Sequence, residues 1–218
     1  ALKNGIKHGV IEVSSHALKT FRVEHLHFAV TGFTNLSIEH TEFHPDMTDY
    51  FNAKKRLFTE LASQDKVCII SIDDEYGKKM AAECKTAGLN LKTLSISDKS
   101  ADFYAENINM TGNGSDFTFC HGNEKQPCHL NLAGEYNIFN ALMAGAMSLE
   151  AGADLAAVSN GIASIKNVPG RLEAINNDKG INVVVDYAHS PAALENVLSA
   201  LRPVTPKRLI TVFGCGGN

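Results

Sequence analysis

Short apolar runs rich in β-branched residues recur along the chain, with helix-length stretches between them. "GVIEV" (9–13), "HFAVTGF" (27–33) and "KVCIISI" (66–72) carry the pattern of strands buried on both faces. Between the last two, "MTDYFNAKKRLFTELAS" (47–63) sets Tyr50, Phe51, Leu57, Phe58 and Leu61 at helical spacing. "DEYGKKMAAECKTAG" (74–88) is a second helix, with Gly88 able to end it. Parallel strands need a crossover, usually a helix. The alternation therefore predicts an α/β fold, a mostly parallel sheet flanked by helices.

The rhythm changes near residue 100. "FYAENINM", "SDFTFCH" and "PCHLNL" are short and separated by "TGNGS" and "GNEKQ", which are turn compositions, so a small antiparallel meander is expected. Two helices follow, "EYNIFNALMAGAMSLEAG" (135–152) and "DLAAVSNGIASI" (154–165), the latter with Asp154 near its N-cap. A boundary falls at "NVPGRLEAI" (167–175). Beyond it, strand "INVVVDYA" (181–188), helix "SPAALENVLSALR" (190–202) and strand "RLITVFG" (208–214) predict one β-α-β unit, the start of a second domain. The domains are read as 1–170 and 171–218.

Composition narrows the class. No run of eighteen apolar residues exists, so no membrane span is expected, and the first residues lack the regions of a signal peptide. The formal net charge of −4 argues against a nucleic-acid partner held by phosphate contacts. Five scattered cysteines without a C-x-x-C pair read as reduced thiols in a cytoplasmic protein. The first residue is not Met, and the last ones run from a strand pattern into a glycine turn, so a piece of a longer chain is expected.

Several segments place chemistry where parallel sheets bind ligands, beyond the carboxyl ends of strands. Glu12 ends the first strand pattern; a surface glutamate beside turn-capping serines fits it equally well. "TNLSIEHTEFH" (34–44) follows the second strand with Glu39, His40, Glu42 and His44. The zinc-protease order is His-Glu-x-x-His, whereas "HTEFH" would turn Glu42 away from the histidine face; a polar loop with two surface histidines is the plainer reading. Lys54 lies four residues after Tyr50 and four before Phe58, on the apolar side of its helix, where a lysine is costly unless paired or modified. Asn137 and Asn140 are three apart on an apolar helix and can read a base through amide groups, though an isolated Asn is more often a cap. Asp186 and His189 end the strand at 181–188. No G-x-x-x-x-G-K-[ST] phosphate loop occurs, and "GCGGN" is not one.

Taken in order, "EVSSHAL", "FTNLSIEHTEFH", "YFNAKKRLF", "GEYNIFNAL", "VPGRLE", "VVVDYAHSPAAL" and "VFGCGGN" resemble the Mur ligases over nearly the whole chain. "EVSSHAL", "DYAHSP" and "FGCGG" point to those members that add the third amino acid of the peptidoglycan stem peptide.

The resemblance implies most of a central ATP-binding domain followed by the start of a Rossmann-like C-terminal domain. It implies an ATP-dependent ligase that joins meso-diaminopimelate or L-lysine to UDP-MurNAc-L-Ala-D-Glu through an acyl phosphate. ATP and Mg2+ are the implied cofactors. The implied partners are the UDP-MurNAc-dipeptide and a diamino acid, in a monomer. Glu12 and His40 are implied magnesium ligands, and Lys54 matches a lysine that these enzymes carbamylate to N6-carboxylysine. Lys54 and His40 are the implied catalytic pair. Ser14 and Arg22 match contacts to the UDP-linked substrate, Asn137 and Asn140 the adenine side, and Arg171, Asp186 and His189 other ATP contacts. The family's usual Asp-His-Leu-Asp is replaced around His40 by Glu39, Thr41 and Glu42, and Ser190 stands where Thr is usual. Without a phosphate loop, these 218 residues alone are expected to be inactive. Three other readings are a folylpolyglutamate or cyanophycin synthetase type of ligase, a non-catalytic nucleotide-binding remnant, and a zinc hydrolase using His40 and His44.

Overall fold

A computed structural model of the chain describes residues 5–37, 43–111 and 114–214. The side chains at 63–65 and 192 also lie outside the description. The chain divides into two compact units, residues 1–94 and 95–218.

In the first unit a short helix α1 (Ser15–Lys19) precedes strand β1 (Phe28–Phe33). Helix α2 (Met47–Arg56) follows, extended by a π-helical turn (Leu57–Leu61) that leads into β2 (Ala62–Ser71). Helix α3 (Glu75–Thr86) then returns the chain to β3 (Asn90–Ser95). Strands β1 and β2 pair in parallel with Thr31 opposite Cys68 and Phe33 opposite Ile70; β2 and β3 pair in parallel with Ile69 opposite Lys92. Each parallel step is closed by a helix, as the alternation predicts. Leu18, Phe33, Phe51, Phe58, Ile70 and Met80 fill the core between sheet and helices.

The turn from β2 into α3 demands a glycine. Asp74 caps the helix by accepting the Gly77 N–H at 2.7 Å. A Cβ on Gly77 would lie 1.9 Å from the Ser71 carbonyl oxygen. The absent side chain is what lets the first turn of α3 sit against the end of β2.

In the second unit β4 (Phe103–Thr111), β5 (Gly114–His121) and β6 (Glu124–Leu130) form the expected antiparallel meander. Helices α4 (Glu135–Glu150) and α5 (Leu155–Ser164) follow, with Asp154 capping α5 through the Ala157 N–H at 2.7 Å. Gly145 lets α4 approach closely, since a Cβ there would meet Phe119 at 2.6 Å and Val158 at 2.9 Å. The unit ends with β7 (Glu173–Ile175), β8 (Val183–Val185) and α6 (Pro191–Leu201).

Three expectations are corrected. Residues 9–13 form no strand: the apolar pattern is present, but Val10 is 97% exposed and no described strand lies beside it to accept its hydrogen bonds. The strand expected at 181–188 shrinks to 183–185 and pairs antiparallel with β7, which the pattern had not shown as a strand. Residues 208–214 pair with no described strand; Leu209 to Gly214 instead border a cavity of about 220 Å³ with Val184, Leu194 and Leu198. Strand β3 was also missed, because "NLKTLS" mixes polar and apolar residues without an apolar run. Among the described residues, Cys68, Cys84, Cys120 and Cys128 are buried free thiols.

Candidate active site

Two groups of candidate residues stand out, one in each unit. The first is built on the starts of α1 and α2. Ser14 caps α1, its Oγ accepting the Ala17 N–H at 3.1 Å. Glu12, two residues earlier, is exposed. The far end of α1 is held by Arg56, which donates to the Leu18 carbonyl at 2.6 Å and lies 4.8 Å over the Phe21 ring. Phe21 has a left-handed φ of 57°, unusual for an aromatic residue, and it turns the chain into exposed Arg22.

Helix α2 starts at Asp46, whose carboxylate accepts the Asp49 N–H at 2.8 Å. A chain of polar contacts, buried at His44 and Ser15, joins it to α1. His44 Nε2 lies 2.8 Å from Ser15 Oγ, and His44 Nδ1 lies 2.6 Å from Asp49 Oδ2. Lys19 Nζ donates to the same Asp49 oxygen at 2.7 Å. The Lys19 hydrogen bond, and then that of His44, hold the Asp49 carboxyl below the usual aspartate range. The His44 ring stacks on buried Tyr50 with centroids 4.7 Å apart. Lys54, one helical turn on and half-buried, places its ammonium 5.3 Å from the Tyr50 ring centre.

These contacts correct one expectation. Both ring nitrogens of His44 are engaged, so it has none to give a zinc ion. His40, with Glu39, Thr41 and Glu42, lies outside the described residues.

Magnesium places modest demands on this region. Among the described residues no three His, Cys, Asp or Glu side chains converge as a metal-binding group. Mg2+ keeps several waters and takes only one or two carboxylates beside substrate phosphates. An exposed Glu12 meets that need; Lys54 meets it only if its ammonium becomes a carbamate.

The second group surrounds the start of α4. Asn137 is buried and its amide donates to the Ala133 carbonyl at 2.8 Å; Asn140, three residues on, is exposed. Tyr136 feels both Asp186 and Arg171: burial first and then the Asp186 charge raise its hydroxyl's pKa, while Arg171 opposes them. The Asp186 carboxylate accepts the Leu172 N–H and the Ala188 N–H, each at 2.7 Å. The first of these bonds fixes Leu172 at a left-handed φ of 44°. Arg171 is exposed and lies 5.3 Å over the Tyr187 ring. His189 Nδ1 lies 3.0 Å from the Tyr187 carbonyl oxygen, and its ring is exposed.

The structure thus links Ser14 to Lys54 through His44 and Tyr50 and through two residues that pattern reading passed over, Ser15 and Asp49. It also brings Tyr136, the neighbour of Asn137, within electrostatic reach of Arg171 and Asp186. No one-dimensional signal marks Ser15 or Asp49, because their partner His44 is remote from one of them in sequence.

The chain matches two family profiles. One is described as Mur ligase middle domain and covers residues 1–148; the other, Mur ligase, glutamate ligase domain, covers residues 170–218. Among its relatives is the UDP-N-acetylmuramoyl-L-alanyl-D-glutamate–2,6-diaminopimelate ligase of Alkaliphilus oremlandii. It is 40% identical over 210 residues, covering 96% of this chain and 42% of the relative. The enzyme of the same description from Synechocystis is 41% identical over 220 residues, covering 100% of this chain and 43% of the relative. A solved structure of a ligase so described superimposes with a TM-score of 0.79 at 30% identity, covering 99% of this chain and 44% of the other. The chain therefore spans less than half the length of these relatives.

Proposed function

The chain belongs to the Mur ligase family, and we propose that it is part of a ligase of the MurE type. In this reading residues 1–170 are most of the ATP-binding central domain and 171–218 the start of the C-terminal domain. The whole enzyme works as a monomer in the cytoplasm, in peptidoglycan biosynthesis. It joins a diamino acid, meso-diaminopimelate or L-lysine, to UDP-MurNAc-L-Ala-D-Glu.

The reaction follows from the chemistry of a carboxylate. Its oxygen is a poor leaving group, so the D-glutamate carboxylate first attacks the γ-phosphorus of ATP. ADP leaves and an acyl phosphate forms. The amine of the diamino acid then attacks the acyl carbon, the amine loses a proton, phosphate departs and an amide remains. Bound Mg2+ supplies positive charge against the crowded phosphate oxygens.

This chain's residues have separate tasks. Glu12 and His40 hold magnesium, and carbamylated Lys54 offers it oxygens. Ser14 and Arg22 bind the UDP-linked substrate. Asn137 and Asn140 face the adenine. Asp186 steadies the ribose through the lone pairs its two backbone bonds leave free, while His189 holds the nucleotide from the same loop and Arg171 from the domain boundary.

The observation that carries the nucleotide half of the reading is that the charges of Arg171 and Asp186 reach Tyr136, which pairs with Asn137. Relatives bearing the diaminopimelate ligase name carry the substrate half.

The test is a chimera in which this chain replaces the corresponding segment of the Synechocystis relative. With ATP, Mg2+ and UDP-MurNAc-L-Ala-D-Glu it is expected to form a tripeptide product with one diamino acid. The isolated 218-residue chain forms none, since it contains no phosphate loop. A chimera that consumes ATP only with a folate or a polypeptide acceptor, or not at all, would overturn the reading.

A further inference from the structure

Ser15, His44 and Asp49 make a serine–histidine–aspartate line, the arrangement that activates a nucleophile in hydrolases. Burial rules that use out. Ser15 is 2% exposed and His44 3% exposed, and the stacked Tyr50 ring is itself 4% exposed. No acyl group can reach Ser15 Oγ. What the line does instead is span three separate pieces of chain.

We propose that His44 is a positioning residue for the ligase reaction, tying Ser14 on α1 to Lys54 on α2. The proposal rests on the MurE-type reading given above. A carboxylate can only accept, so Nδ1 donates to Asp49, and Nε2 is bonded to the Ser15 hydroxyl. Ser15 follows directly on Ser14, whose backbone it therefore anchors. Asp49 sits in the first turn of α2, and Tyr50 beside it carries the stack that ends at Lys54. One ring thus sets the spacing between a substrate contact and the lysine near the reacting phosphate. Lys19 adds a second tie, because it runs from α1 to the same Asp49 oxygen. Buried, doubly bonded and stacked, the imidazole has little freedom to drift, which is what positioning to within about 1 Å requires.

The two ends of the imidazole can be separated by substitution. His44→Asn places an amide near Nδ1 and keeps the Asp49 arm while losing Ser15. His44→Gln places its amide near Nε2 and keeps the Ser15 arm while losing Asp49. Both are made in the chimera and in the 218-residue chain. In the chimera His44→Asn is expected to raise KM for the UDP-linked substrate about tenfold with KM for ATP unchanged. His44→Gln is expected to lower kcat about tenfold with KM for that substrate unchanged. A purely stabilising histidine would give both variants the same lowered thermal midpoint and the same loss of active enzyme, with every KM unchanged, and that result would overturn the proposal.

If the unsubstituted chimera is silent, the ligase reading has failed and the tie is judged on the 218-residue chain. There, His44→Asn should speed hydrogen exchange at the Ala17 amide about tenfold, and His44→Gln should change the acylation rate of Lys54 several-fold. Unchanged rates at both would refute the tie itself.

Discussion

At the scale of single residues the site turns on Lys54. It is half-buried, with its ammonium 5.3 Å from the centre of the Tyr50 ring. Once the ammonium gives up a proton, the neutral amine adds carbon dioxide and releases a second proton, leaving a carbamate anion with two oxygens. The chimera equilibrated with 13C-labelled bicarbonate should show one carbamate carbon signal that disappears in Lys54→Ala, together with all ligation. A wild-type protein without that signal would remove carbamylation from the account.

Asp49 offers a test by pH. Its folded pKa lies below the unfolded value of about 3.9 because Lys19, then His44, bond its carboxylate. A depressed carboxyl contributes stability that is complete above its unfolded pKa and is lost as pH falls through the folded one. Asp49→Asn should therefore melt below wild type at pH 7, and the gap should narrow below about pH 4. A gap that does not change between pH 7 and pH 3 would count against these bonds to the carboxylate.

The residue scale is also where sequence reading reached furthest on some points and least on others. Lys54, Asn137 and Asp186 were singled out because each is a polar side chain in an apolar pattern. His44 was visible only as a metal-capable side chain. Its true partners come from α1 and α2, and a contact across 29 residues leaves no spacing to read.

At the scale of elements the glycine before the body of α3 is decisive. Gly77→Ala would drive a methyl into the Ser71 carbonyl, and both are backbone-anchored, so helix and strand must part. A loss of about 3 kcal/mol in unfolding free energy is expected, the upper range for overpacking. Denaturant melting of the purified chain checks it, and a change under about 0.5 kcal/mol would mean the contact relaxes freely.

Elements with a complete local signature were legible. The capped helices α3, α5 and α6 fall within a residue or two of their expected limits, since cap, apolar stripe and stop all lie in one stretch. Strands depend on a partner that local sequence does not name. "GVIEV" has the composition of a strand and no described neighbour, whereas β7 has little strand character and pairs because β8 lies beside it.

At the scale of the whole molecule, the order of the motifs carried more than any one of them. Seven short segments, each ambiguous alone, fall in one sequence over the chain, and both family profiles agree with that order. Physical pattern alone reached the parallel sheet and the meander. It could not reach a substrate, because no spacing within these segments encodes one.

The central claim is that the D-glutamate carboxylate becomes an acyl phosphate at this site. Label both oxygens of that carboxylate with 18O, run the chimera to completion with ATP and the accepted diamino acid, and weigh the phosphate released. The account predicts one 18O in each phosphate, because the carboxylate oxygen that attacks phosphorus leaves with it. Phosphate free of 18O, with the tripeptide still formed, would contradict it.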